Sequence, residues 1–212
     1  MKKSANFYLI LTLIVNIALV GCRILSGNEG SDEDGNKDNE KPTSYENYSF
    51  EYLLNDGSGY QTVYTYARNG LKSLQMLPDG TGIHIELATG VVTYFSIEKG
   101  EATKITDLTK INSNLLTGMG VFGVGRIGER IGGETLDDNF CDIVKLMSSS
   151  GDFSKTWYCN RFDIALKFET YADDKLQTGF YLKNFQLGNC SDGMVKLPEG
   201  LDIIDLDAVV EY

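Results

Sequence analysis

The chain opens with an apolar run over residues 7–20, broken only by Thr12 and Asn16 and preceded by Lys2 and Lys3. Residues 23–44 then hold almost nothing to bury beyond Leu25; Gly, Ser, Asn, Asp and Glu dominate them. From Tyr45 the texture changes to short β-branched and aromatic runs punctuated by turn residues at roughly ten-residue spacing, the pattern of an antiparallel meander. Strands are predicted over 48–54, 60–66, 71–77, 82–87 and 91–97. Turn signals at 55–59, Asn69-Gly70, Pro78-Asp79-Gly80, Ala88-Thr89-Gly90 and Glu98-Lys99-Gly100 follow them. Ile83, Ile85 and Leu87 alternate with His84 and Glu86, as a strand with one buried face requires. Thr106-Asp107 then reads as a helix N-cap, with Leu108, Ile111 and Leu115 at helical spacing and Gly118 as a stop. The glycine-dense stretch 119–133 leaves room for a second short helix around 124–131. Strands resume over 140–147, 153–159, 164–171 and 176–187, and an extended segment over 201–210 closes the chain. The pattern predicts an α+β fold, mainly antiparallel β, with a helical insert between two blocks of strands.

Leu19-Val20-Gly21-Cys22 ends the leading run, and small Gly21 sits where a signal peptidase needs a slim residue. The run is short for a bilayer span of about 20 residues. These four positions resemble the lipobox of bacterial lipoproteins, which implies cleavage after residue 21 and a palmitate-type lipid anchor on Cys22. Residues 1–21 are then a signal peptide. Residues 22–44 are an acylated cysteine on a disordered acidic tether, and residues 45–212 form one domain. As a flexible coil of about 22 residues, the tether would hold the domain roughly 25 Å from the membrane. Losing Lys2 and Lys3 takes the formal charge from −11 to −13. Such acidity argues against nucleic acid and against electrostatic docking on anionic lipid, so attachment must come from acyl chains. Arg23, rather than Asp, after Cys22 favours the outer membrane facing the periplasm if the envelope is Gram-negative. Twenty-three glycines, three prolines, twelve tyrosines and ten phenylalanines fit turns and aromatic strands better than helical bundles.

Candidate chemistry changes this picture little. Export allows disulfides, and Cys141, Cys159 and Cys190 remain beyond Cys22. Cys141 and Cys159 lie equally far from Ser150, so a symmetric hairpin sets them face to face, with Ile143 opposite Trp157 and Lys145 opposite Lys155. A bridge there would contribute roughly 3 kcal/mol; two free buried cysteines, or pairing with Cys190, are the alternatives. Gly123-Val124-Gly125-Arg126-Ile127-Gly128 spells G-x-G-x-x-G, but no buried strand feeds it and Gly132-Gly133 would end any following helix, so it reads as a connection. The acidic run around Asp32–Glu40 fits neither frame of a calcium loop. His84 is the single histidine, on a strand face with Glu86, and cannot assemble a zinc site alone. Asp202, Asp205 and Asp207 show no catalytic spacing, and no nucleophile elbow, zinc-protease signature or phosphate loop is present. Neither an enzyme, a cofactor nor a metal is expected.

With the strands placed, residues 50–104 resemble the first sheet of the LolA/LolB-like lipoprotein-carrier superfamily, especially its uncharacterised periplasmic lipoprotein branch. Gly90-Val91-Val92-Thr93-Tyr94-Phe95 followed by Glu98-Lys99-Gly100 carries that part. Gly133-Glu134-Thr135, Phe140-Cys141, Lys155-Thr156-Trp157-Tyr158 and Ile164-Ala165-Leu166-Lys167-Phe168-Glu169 carry the second half. Leu182-Lys183-Asn184-Phe185 and the ending Met194-Val195-Lys196-Leu197-Pro198-Glu199-Gly200 complete it. The basic residue of the carriers' early strand is matched by Arg68 or Lys72. The resemblance implies an open (half) β-barrel whose concave face is covered by helical segments, here residues 107–131, over a greasy cavity. It implies a non-enzymatic protein that binds or carries a lipid-like ligand, with Val63, Tyr94, Trp157, Phe168 and Phe180 expected on the inner face. The runner-up is a structural or interaction lipoprotein with a fully packed core.

Overall fold

A computed structural model describes residues 46–106 and 127–209. The signal segment, Cys22, the tether and residues 107–126 of the expected insert lie outside the described residues. Twelve strands form one sheet: β1 (Asn47–Asn55), β2 (Tyr60–Asn69), β3 (Lys72–Met76), β4 (Thr81–Glu86), β5 (Val91–Ser96), β6 (Glu101–Thr106), β7 (Glu129–Leu136), β8 (Asn139–Met147), β9 (Phe153–Cys159), β10 (Ile164–Ala172), β11 (Lys175–Leu187) and β12 (Asp202–Asp205). Their order is β12-β6-β5-β4-β3-β2-β1-β11-β10-β9-β8-β7. Two meanders are thereby welded at β1, the first strand of one, and β11, the last of the other. β12 and β7 stand at opposite edges, so the sheet is open. Every pairing is antiparallel except that of β12 with β6.

Local chemistry explains the turns. Gly80, Gly90 and Gly100 close β3–β4, β4–β5 and β5–β6, each with φ between 66° and 77°, a conformation that glycine adopts without the Cβ penalty. Asp137 and Asp138 join β7 to β8, and Asp173 and Asp174 join β10 to β11, with both residues at positive φ in each pair. That is the tight hairpin geometry usually supplied by Asn-Gly, and short polar side chains tolerate it.

Three expectations are corrected. β6 is a strand that the sequence pattern did not announce. β7 begins at Glu129, so residues 129–131 are extended and cannot end a helix. The closing segment is strand only over β12, followed by a 3-10 turn at Asp207–Val209.

The sheet is not flat. Asp137, in the β7–β8 turn, accepts the Tyr181 hydroxyl at 2.7 Å and the Asn184 backbone N–H at 2.5 Å, both on β11. β9 and β10 separate β8 from β11 in the strand order, so this end must roll toward the face bearing Tyr181. Bulges in β10 between Ala165 and Lys167 and in β11 at Asn184 (φ 55°) supply the bend. The same face, over β2 to β4, is covered by the chain running from β11 to β12. Its Cys190 and Val195 pack on Ala67, while Asn47 holds both the N–H and the C=O of Cys190, at 2.7 and 2.9 Å.

Candidate functional site

The opposite face of the sheet is aromatic. Tyr48, Phe50, Tyr52 and Leu54 alternate along β1 and meet Tyr66 and Tyr64 on β2, and Leu182 and Phe180 on β11. Tyr52 stacks on Tyr64 at 4.9 Å and on Phe180 at 6.1 Å, and Phe180 stacks on Phe168 of β10 at 5.8 Å. Phe50 and Tyr48 stack on Tyr66 at 5.4 and 5.6 Å. Toward β6 the face continues as Ile85, Val92 and Ile105 in one cross-strand row. Tyr48, Phe50, Tyr52 and Tyr66 are buried, whereas Leu54, Val63, Tyr64, Phe168 and Phe180 are half-buried around them. Burial raises the Tyr52 hydroxyl to about 12 and drives Tyr64 and Tyr66 up as well, so all three remain neutral.

Of the five residues expected on the inner face, Phe168 and Phe180 stack together and Val63 packs at the β2 bulge beside them. Tyr94 lies farther out, opposite Ile83, and is 38% exposed. Trp157 is buried within the same hydrophobic cluster, but from the face toward which this end of the sheet rolls. Its strand partners are Ile143 and Lys167, on the other face, because a bulge at Leu166 offsets the alternation of β10.

There Trp157 belongs to a polar network that sequence reasoning missed. Its Nε1 donates to Glu134 at 2.5 Å, and Lys167 lies over its ring at 4.2 Å. Glu169, only 5% exposed, pairs with Lys167 at 3.0 Å and accepts the hydroxyls of Tyr60 at 2.8 Å and Tyr171. Burial works against the Glu169 carboxylate, but these three donors outweigh it and hold its pKa below the ordinary range. Tyr60 reaches Glu169 across two strands because Gly179 lies between. A Cβ there would stand 2.5 Å from the Phe168 carbonyl and 3.1 Å from the Tyr60 hydroxyl.

The β8–β9 register is the symmetric one, with Ile143 opposite Trp157 and Lys145 opposite Lys155. One step beyond the Asp142–Tyr158 pair, Cys141 and Cys159 face one another; both thiols, and that of Cys190, are buried and free. A hydrogen bond shared by the two sulfurs raises the Cys141 pKa and lowers that of Cys159. His84 is buried rather than solvated, because the segment after β11 covers it. The last glycine of the G-x-G-x-x-G stretch, Gly128, leads into a strand. Among the described residues no three His, Cys, Asp or Glu side chains cluster to hold a metal. A cleft of about 300 Å³ lies among Glu46, Asn47, Asn69, Gly70, Leu187 and Gly188, and none of the aromatic rings lines it.

Fold and site together define an open antiparallel sheet of the half-barrel kind with one aromatic face. No family model matches the chain, and no curated protein does. Solved structures do. An uncharacterized conserved protein from Thermus thermophilus aligns over 76% of this chain and 91% of that one, at 8% identity and TM-score 0.42. The MucA/MucB complex of Pseudomonas aeruginosa aligns over 74% of this chain at 7% identity and TM-score 0.43, and the match spans 58% of that chain. A LolA superfamily protein from Nitrosomonas europaea aligns over 72% of this chain and 91% of that one, at 10% identity and TM-score 0.30.

Proposed function

We propose that this chain is a non-enzymatic lipoprotein of the cell envelope, anchored by acylation of Cys22, whose aromatic face binds a hydrophobic, lipid-like ligand. The observation that carries the ligand is the half-buried group Leu54, Val63, Tyr64, Phe168 and Phe180. The 3-10 turn at Asp192–Val195 packs on β2 and β3 from the other face, through Ala67. Among the described residues, contacts laid on the aromatic face from outside the strands include Phe162 of the β9–β10 turn, against Phe185, and Leu87 after β4. A broad apolar surface of this kind needs either a ligand or a cover. The sequence-level likeness to lipoprotein carriers supports a ligand, and the leader supports the envelope location.

A second reading has its own observation. Tyr48, Phe50, Tyr52 and Tyr66 are only 2–8% exposed, the density of a packed interior, which favours an interaction lipoprotein without ligand. Purifying the mature chain without detergent, with Cys22 unacylated, and analysing its organic extract by mass spectrometry separates the two. Lipid near one equivalent is expected. An extract free of lipid, together with a polarity-sensitive dye that finds no saturable site, returns the packed-core reading. The anchor has a separate test: a clickable palmitate analogue should label the wild-type chain in cells and not the Cys22→Ser variant.

A further inference from the structure

One end of the aromatic face holds an orphaned tyrosine hydroxyl beside a guanidinium. Tyr66 is 8% exposed, and its hydroxyl closes no hydrogen bond, whereas buried polar atoms ordinarily have a partner. The side chains of Tyr48 and Ser73 lie beside it without satisfying it. Arg68 stands two residues further along β2 on the same face, opposite Tyr48 on one side and Ser73 on the other. Its Nε donates to the Gly70 carbonyl at 3.1 Å, and among the described residues no carboxylate pairs with it. A guanidinium has only donors to offer, in a fork matched to carboxylate and phosphate oxygens. From this end the rings run from Tyr48 to Leu54 along β1, roughly 20 Å at strand spacing, and finish at Phe180 and Phe168. In a chain of formal charge −11, a cation with no carboxylate partner among the described residues, at the head of a greasy strip, is a specific device.

We infer that the face takes a single-chain amphiphile with an anionic head, carboxylate or phosphate. The head meets Arg68 and the Tyr66 hydroxyl, and the tail lies along Tyr52, Tyr64, Phe180 and Phe168. This inference rests on the ligand-binding reading above and adds an orientation and a charge to it.

The test uses the mature chain with Cys22 unacylated, titrated with oleate, oleyl phosphate and oleyl alcohol below their aggregation thresholds, each displacing a fluorescent dye. At least one anion is expected to bind at least about tenfold tighter than the alcohol, the range of a hydrogen bond to a charged group; the tighter anion identifies the head. Arg68→Gln should abolish that preference, and Arg68→Lys, kept as the better-folding control, should weaken it. Tyr66→Phe should also reduce anion affinity while leaving the melting temperature equal or higher, since it removes an orphaned hydroxyl. Equal affinity for all three ligands overturns the head-group assignment and leaves the ligand reading intact. No binding of any of the three overturns both. A Tyr66→Phe variant that melts earlier yet binds oleate unchanged shows a hydroxyl serving packing alone, which also overturns the assignment.

Discussion

Glu169 shows how one residue organises a region. A carboxylate this deep is tolerated because Lys167 neutralises it and two tyrosine hydroxyls fill its lone pairs. Glu169→Gln would leave Lys167 uncompensated over Trp157 and should destabilise the fold by about 3 kcal/mol, read as a lower urea midpoint at unchanged slope. Tyr60→Phe in the same assay should be milder, about 1 kcal/mol, and less than additive with Glu169→Gln because the two share one bond. Full additivity would mean that the Tyr60–Glu169 bond contributes nothing. None of this was legible in the sequence. Lys167, Glu169 and Tyr171 alternate along β10, but Tyr60 comes from β2, and only the absence of a side chain at Gly179 brings it to Glu169. A glycine inside a strand was the available signal, since it marks a close approach.

Among elements, the segment from Gly188 to Gly200 behaves as a strap. It is short of regular structure, yet it is tied at its start by Asn47 and by Asn69, which donates to Asp192 at 2.7 Å, and pinned in the middle by buried Val195. Asn47→Ala strands the buried Cys190 N–H and C=O and should let the strap open locally. Limited trypsin digestion at a lysine outside the Lys196-Leu197-Pro198 corner, Lys183 on the neighbouring β11, should then proceed about tenfold faster than in wild type; an unchanged rate would show that Val195 alone holds the strap.

The sequence revealed β1 to β5, which are bounded by glycine-bearing turns, and β8 to β11, whose apolar and aromatic runs are strong. β7 was hidden because its interior glycines, Gly132 and Gly133, mimic a loop. β6 was passed over because the helix-cap signal at Thr106-Asp107 left the short run 101–106 before it unassigned. Phe168 and Phe180 share a face with Tyr52 because alternation survives where they lie. Trp157 falls on the opposite face from them because of a bulge, which a period-two count cannot see.

For the whole molecule, the groups that face His84 shape its response to acid. On its own strand lies Glu86, on β3 lies Lys72, its row partners are Leu74 and Thr93, and the strap presents the Val195 backbone. Burial, the largest influence, lowers its pKa, with Lys72 acting the same way and Glu86 opposing. The unfolded chain therefore binds the proton first, so stability is full above the unfolded value of about 6.5 and falls as pH drops from there toward the folded value. Glu169, whose folded pKa is also depressed, begins to add its own loss once pH falls below about 4.3, the unfolded value, and completes it at the folded one. Urea midpoints should decline between pH 7 and pH 5 in wild type and stay nearly level in His84→Gln; parallel curves would clear His84 of the effect.

The joining of β1 to β11 has a temporal consequence. Tyr48 is paired with Leu187 in the finished sheet, and β12 must still travel beneath the sheet to reach β6. A strand made at the outset thus waits for partners made almost at the finish, and distant pairings of this kind assemble slowly. A half-synthesised chain has an edge with nothing to dock on it, so if the leader directs export as proposed, a translocation pore would receive the chain threadable and unfolded, with the fold closing once β11 and β12 emerge on the far side.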